Sequence, residues 1–307
     1  MSNAVTPRKP EEATLPSFKR ILLVTDFSSA AEVAVPFARR LADLYEPATV
    51  FVSHILPEPE LATAGEPVKA DKAEQERQAA EGQMEKLLKQ NSFGEAHVET
   101  VIRQGSVAEV VGSIIEEKKV DVLVVGTHGR SGVGKLLLGS VAQRIFNTAS
   151  CPVLSVSPRA RRSWGDREKL ARILYATDFS TDSLHALPYA LSLSRVTKAE
   201  LLLLNVLNAP ANEPIRDSIL KECHTRLNAL IPRSAQRWCK SDALAIPGDA
   251  ADVILQTAAE QNAGLIVIGA HRVEGRINVP LSTAYRVVAH AHCPVLRVRS
   301  NSTVGES

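Results

Sequence analysis

None of the four cysteines, Cys151, Cys223, Cys239 and Cys293, stands at C-x2-C spacing. A zinc site or a disulfide framework therefore has no basis in the sequence, and a reducing compartment is expected. No run reaches the roughly 18 apolar residues that a membrane helix needs, and the opening MSNAVTPRKPEEATLP has no apolar signal core. The expectation is a cytoplasmic protein without a membrane partner. Neither sign of charge dominates: 36 basic and 34 acidic residues leave a formal net charge of +2, and no basic stripe with interleaved aromatics occurs. Nucleic acid is thus not an expected partner. Aromatic residues make up only 4% of the chain against 45% hydrophobic residues, so the core must be aliphatic, and 307 residues suit about two domains.

What the chain does have is concentrated in one stretch, Asp121 to Leu154, DVLVVGTHGRSGVGKLLLGSVAQRIFNTASCPVL. An apolar run ends at Gly126, a glycine-rich loop leads to Gly139-Ser140, and Val141, Ile145 and Ala149 then repeat at helical spacing before a last apolar run. This is strand, loop, helix, strand. Such a loop suits a phosphate, because the first amides of a helix lack intrahelical partners and glycines let the backbone approach an anion. Ser140 is placed to cap the helix. Gly129 to Lys135 also spells G-x4-G-K, but Leu136 stands where a P-loop needs Ser or Thr for magnesium. A mobile surface loop that binds nothing is the plain alternative.

Ahead of this stretch the pattern alternates strand and helix. Arg20 to Thr25 forms an unalternating aliphatic strand that ends at Asp26, with Ser28 or Ser29 as cap of the next helix. Pro36 predicts a kink, or a helix that properly starts near Ala34. Ala48 to Ile55 is a second strand and Val68 to Gln90 a charged helix. Ala96 to Arg103 is a third strand, followed after Gly105 by a helix through Ile115. The order β-α-β-α-β-α-β-α-β predicts an open, doubly wound parallel sheet with helices on both faces. Ligands bind such sheets beyond the carboxyl ends of the strands where strand order reverses, which makes Asp26 and Gly126 expected neighbours.

The chain then repeats itself. ILYATDFS at 173–180 answers ILLVTDFS at 21–28, Pro188 answers Pro36, Gly248 answers Gly105, Gly269 answers Gly126, and CPVL at 293 answers CPVL at 151. The fold class expected is α/β, with two tandem doubly wound five-stranded parallel sheets. The divisions expected are a flexible arm over 1–17, domains over 18–157 and 170–300, a polar basic linker over 158–169 and a tail over 301–307.

Gly126-x2-Gly129-x9-Gly139-Ser140, followed by CPVL, resembles the ATP-binding universal stress proteins, and the resemblance covers both repeats. It implies the adenine-nucleotide α-hydrolase-like fold and ATP, AMP or ADP as ligand, with or without Mg2+. It also implies roles for individual residues. Asp26 and the backbone at Ile55 would contact adenine or ribose, and Gly126, Gly129, Gly139 and Ser140 would surround ribose and phosphates. Thr127, His128, Arg130 and Val141 would line the same loop. No protein ligand for a metal is implied.

The second repeat departs from that pattern. It keeps Asp178, Val206, Gly269 and Ser282, but Arg272 replaces the second glycine and Leu281 the third, so its site is expected to be narrowed or closed. Arg272 and Arg276 are either solvated loop residues, or they bind another anion or reach a partner or the other copy's ligand. The resemblance further implies that Val153 to Val156 and Val295 to Val298 pair within the chain as a built-in dimer, with further homodimerisation and an unidentified protein partner.

The function expected is a regulatory binding protein of the stress response that holds one adenine nucleotide in its first repeat. The alternatives are a slow ATPase using the same loop, or an interaction protein without nucleotide. His54 and His128 have no partner at metal or triad spacing, so no catalytic residue is expected.

Overall fold

The computed structural model describes residues 15–58, 69–127, 140–162, 164, 169–207, 213–270 and 282–299. In the first half, strands β1 (Arg20–Val24), β2 (Thr49–Leu56), β3 (His97–Gln104), β4 (Val122–Gly126) and β5 (Val153–Val156) alternate with helices. These are α1 (Ser29–Glu32), α2 (Val35–Leu44), α3 (Lys69–Gln90), α4 (Val107–Lys118) and α5 (Ser140–Thr148). The second half repeats the plan with strands β6 (Arg172–Ala176), β7 (Glu200–Leu207), β8 (Ser241–Pro247), β9 (Leu265–Gly269) and β10 (Val295–Val298). Its helices are α6 (Thr181–Thr197), α7 (Glu213–Ala229), α8 (Ala250–Glu260) and α9 (Thr283–His290).

The two five-stranded sheets are one ten-stranded sheet, in the order β3-β2-β1-β4-β5-β10-β9-β6-β7-β8. Every pairing is parallel except the central one, where β5 meets β10 antiparallel with Leu154 opposite Leu296. The strands are apolar without alternation because both faces are covered. Along β1, Ile21 and Leu23 enter one core while Leu22 and Val24 enter another on the opposite face. The first of these cores crosses the boundary between halves, joining Phe18, Leu41 and Tyr45 to Tyr175, Leu191 and Leu296.

Proline acts differently in the two copies. Pro36 sits in the first turn of α2, where its missing N–H costs little, and the chain breaks between α1 and α2. Pro188 lies inside α6, which continues without interruption from Thr181 to Thr197.

The polar segment between the repeats is not a loose tether. Residues Pro158–Arg162 form a short 3-10 helix, Ala160 and Trp164 are buried, and the Trp164 ring meets Phe37 edge-on at 5.3 Å. The start of the described chain is also tied down, since the Ser192 hydroxyl donates to the Pro16 carbonyl at 2.5 Å. Among the described residues no helix is long and apolar enough to cross a membrane.

At the central seam each half reaches the end of the other's last helix. Ser157 Oγ donates to the carbonyl of Ala291 at 3.0 Å, just past α9, and Arg299 Nη1 donates to that of Asn147 at 2.8 Å in α5. Arg297 Nη1 donates to the Phe146 carbonyl in the same turn. The last carbonyls of a helix lack intrahelical donors and carry partial negative charge, so these contacts satisfy both needs.

Candidate functional site

In the first half, strand order reverses between β1 and β4, which lie side by side with Val24 opposite Val125. The residues that follow those strands therefore share the carboxyl edge of the sheet. Asp26 Oδ1 accepts from the backbone N–H of Ser28 at 2.9 Å and from its hydroxyl at 2.5 Å. Ser28 in turn caps α1 by accepting from the N–H of Ala31 at 3.1 Å. Asp26 thus does not cap the helix itself; it fixes the residue that does. Between them Phe27 adopts φ 59°, a left-handed conformation uncommon for a bulky side chain. Its ring lies 4.5 Å from that of His54.

His54 closes the turn from the neighbouring strand. Its Nδ1 lies 2.8 Å from the Thr25 carbonyl, and the Thr25 N–H donates to the Ser53 carbonyl at 2.9 Å. Ile55, next along β2, is buried in the first-half core beneath the same edge.

Gly126 ends β4, and a Cβ built on it would stand 2.7 Å from the Ala30 carbonyl oxygen and 2.9 Å from Ala31 Cα. Glycine is required there by the packing of α1 on the strand end, independently of any ligand. Thr127 is buried and its N–H donates to the Val156 carbonyl at 2.9 Å. Ser140 opens α5, with Val141 following it. His128, Gly129, Arg130 and Gly139 lie outside the described residues, as do the side chains of Ser140 and Val141.

The second half reproduces the turn. Asp178 Oδ1 accepts from the N–H of Ser180 at 2.9 Å and from its hydroxyl at 2.5 Å, Phe179 has φ 62°, and Ser180 caps α6. Burial raises the Asp178 pKa, but hydrogen bonds from Ser180 and Ser183 outweigh it and hold the carboxyl below its ordinary value. The crosslink made by His54 is made here by Asn205, whose Nδ2 donates to the Thr177 carbonyl at 2.7 Å.

Asp178, Val206, Gly269 and Ser282 come together around one cavity of about 310 Å³. The expectation of a closed second site rested on Leu281, which, with Arg272 and Arg276, lies outside the described residues. The cavity also takes in Phe146 and Asn147 from the first half, and Arg297 of β10. Sequence reading passed over Arg297, although the signal was there: the last strand reads VLSV in the first copy and VLRV in the second. Among the described residues no group of His, Cys, Asp or Glu is placed to hold a metal ion.

Two copies of one α/β unit, each with a D-F-S turn and a strand-ending glycine, are matched by the family model described as the universal stress protein family, over residues 17–157 and again 169–299. The chain belongs to the universal stress protein family. A tandem member from Mycolicibacterium smegmatis is 27% identical over 291 residues, covering 91% of this chain and 96% of that one. The solved structure of a universal stress protein from Archaeoglobus fulgidus covers 92% of this chain and 98% of its own at TM-score 0.71. With 18% identity, that likeness concerns the fold. Another universal stress protein, 23% identical over 43% of this chain and 98% of its own at TM-score 0.33, was solved in complex with cAMP, which speaks for that protein alone.

Proposed function

We propose that the first half binds one adenine nucleotide, ATP or its di- or monophosphate, and that the protein acts as a stress-response binding protein whose surface for a partner changes with occupancy. The observation that carries this reading is the convergence of the Asp26 turn, the end of β2 at Ile55 and the Gly126-Thr127 strand end on one switch point, with α5 opening beyond. The donor set suits the ligand: a carboxylate for hydroxyl groups, strand-end backbone for a base, and amides at the start of a helix for phosphate. Glycine at 126 is explained by packing, so it adds no support of its own.

The proposed mechanism is linkage. Nucleotide shifts the protein between states only by the difference in its affinity for them. Because β5 is already paired with β10, a further homodimer would have to use the outer strands β3 and β8 or the helix faces.

The test is extraction of nucleotide from purified native protein, quantified per chain by chromatography and mass spectrometry, with calorimetric titration of ATP and Mg2+ into the emptied protein. About one nucleotide per chain is expected, with binding lost on combined Gly139→Val and Ser140→Ala. Two equal sites per chain, or no binding at all, would overturn the reading.

A further inference from the structure

Arg297 is the one basic residue in the buried run of β10 and is only 3% exposed. It shares a strand face with Val295, whose side chain packs in a core with Phe146 of the first half. Nη1 donates to the Phe146 carbonyl, and the guanidinium carbon lies 4.4 Å from the centre of the Phe146 ring. Nε has no hydrogen-bond partner among the described residues, and no described carboxylate forms an ion pair with it. Taking a guanidinium out of water is unfavourable unless a counter-charge and hydrogen-bond acceptors replace the water. A carbonyl and an aromatic ring supply only part of that. Burial, with Arg299 nearby, has pushed the Arg297 pKa down to about 9.

The same side chain lines the 310 Å³ cavity, whose remaining walls are largely apolar: Ala176, Leu204, Ile254 and Ile268 among them. Two carboxylates, Asp178 and Asp182, border it as well, and they are exposed and half-buried while Arg297 is buried. Positive charge thus lies deep and negative charge outside. A ligand with one negative charge and a compact apolar body would set its anion against Arg297, its body against the apolar walls, and no second charge near the two carboxylates.

We infer that the second half is a site for a small apolar monocarboxylate, anchored by Arg297 and walled by both halves of the chain. This does not rest on nucleotide binding by the first half, where Ser155 occupies the corresponding position of VLSV. The first copy therefore has no cation at the corresponding strand position.

The experiment is calorimetric titration of the full chain with benzoate, and with phenol as its neutral counterpart of similar shape. One saturable benzoate site per chain is expected, with phenol weaker by at least about tenfold, the loss of a charge-assisted hydrogen-bond pair. Arg297→Met, which keeps an apolar side chain of similar reach, should weaken benzoate by a similar factor. Ala250→Leu, which fills the cavity from the start of α8, should block binding with Arg297 in place, so that the inference does not depend on the folding of one variant. No saturable benzoate binding, equal affinity for phenol, unchanged binding in both variants, or one-for-one displacement of benzoate by ATP would each overturn it.

Discussion

The Tyr45 hydroxyl and the Ser192 hydroxyl lie 2.8 Å apart, buried, and belong to different halves of the chain. Ser192 is also the residue that holds Pro16, so one serine ties together the end of α2, the middle of α6 and the start of the described chain. Tyr45→Phe removes the contact but leaves Ser192 its bond to Pro16. The expected loss is about 1 kcal/mol in urea unfolding, and Ser192→Ala, which also strips Pro16 of its donor, should cost more.

Burial pushes the Tyr45 pKa up to about 12 despite its hydrogen bond with Ser192, and burial does the same for Tyr175, whose hydroxyl donates to the Ser183 carbonyl at 2.8 Å. A group that holds its proton more tightly when folded stabilises fully below its unfolded pKa, and the contribution is lost as pH rises from about 10 to about 12. The contribution is on the order of 3 kcal/mol for each ring. Ultraviolet titration should find Tyr45 and Tyr175 the last of the four tyrosines to ionise, together with loss of the fold. Titration of all four with the fold intact would contradict this.

Trp164 tests whether the segment between the repeats is a tether or part of the core. Its side chain is 2% exposed and packs on Phe37 of the first half, while Ala160 beside it is fully buried. Trp164→Ala should lower stability by about 3 to 5 kcal/mol, seen in denaturant unfolding. A free linker would leave the midpoint unchanged.

Much of this architecture was legible in the sequence, for definite reasons. A strand buried on both faces must be an apolar run, so ILLV, LLLL and LIVI announce β1, β7 and β9 before any pattern of alternation is needed. The repeat fixed the topology, because the second copy had to fold as the first. Trp164 was hidden because a single aromatic among charges has no periodicity to betray burial. Arg297 was hidden because a charged residue in a strand suggests an exposed face, and its partner comes from α5 of the other half. The glycine spacing carried no sign of the packing role of Gly126, since spacing alone cannot separate a glycine that meets a ligand from one that meets a helix.

Gly126 and Gly269 make that distinction measurable. A Cβ at 269 would stand 2.4 Å from the Asp182 carbonyl oxygen and from Ser183 Cα, closer than the nearest contact of 2.7 Å at Gly126. All these atoms are backbone, so none can rotate away. Gly126→Ala should cost about 1 to 3 kcal/mol without any nucleotide present, and Gly269→Ala should cost more. If Gly126→Ala left the melting temperature of the empty protein unchanged and affected only ligand binding, the packing role would be refuted.

The two copies also supply their own substitution experiment at the turn after the first strand. His54 in one and Asn205 in the other bridge to the carbonyls of Thr25 and Thr177 at 2.8 and 2.7 Å. The residue type differs and the crosslink does not, so what the site demands is one donor at the right reach. For the His54 bond to match that of Asn205, Nδ1 must carry the proton. His54→Asn should therefore retain the turn, with a loss below about 1 kcal/mol, whereas His54→Ala leaves a buried carbonyl short of a donor at about 1 to 3 kcal/mol. Equal destabilisation by the two substitutions would show that the imidazole ring packed against Phe27, and not the hydrogen bond, holds the turn in its left-handed conformation.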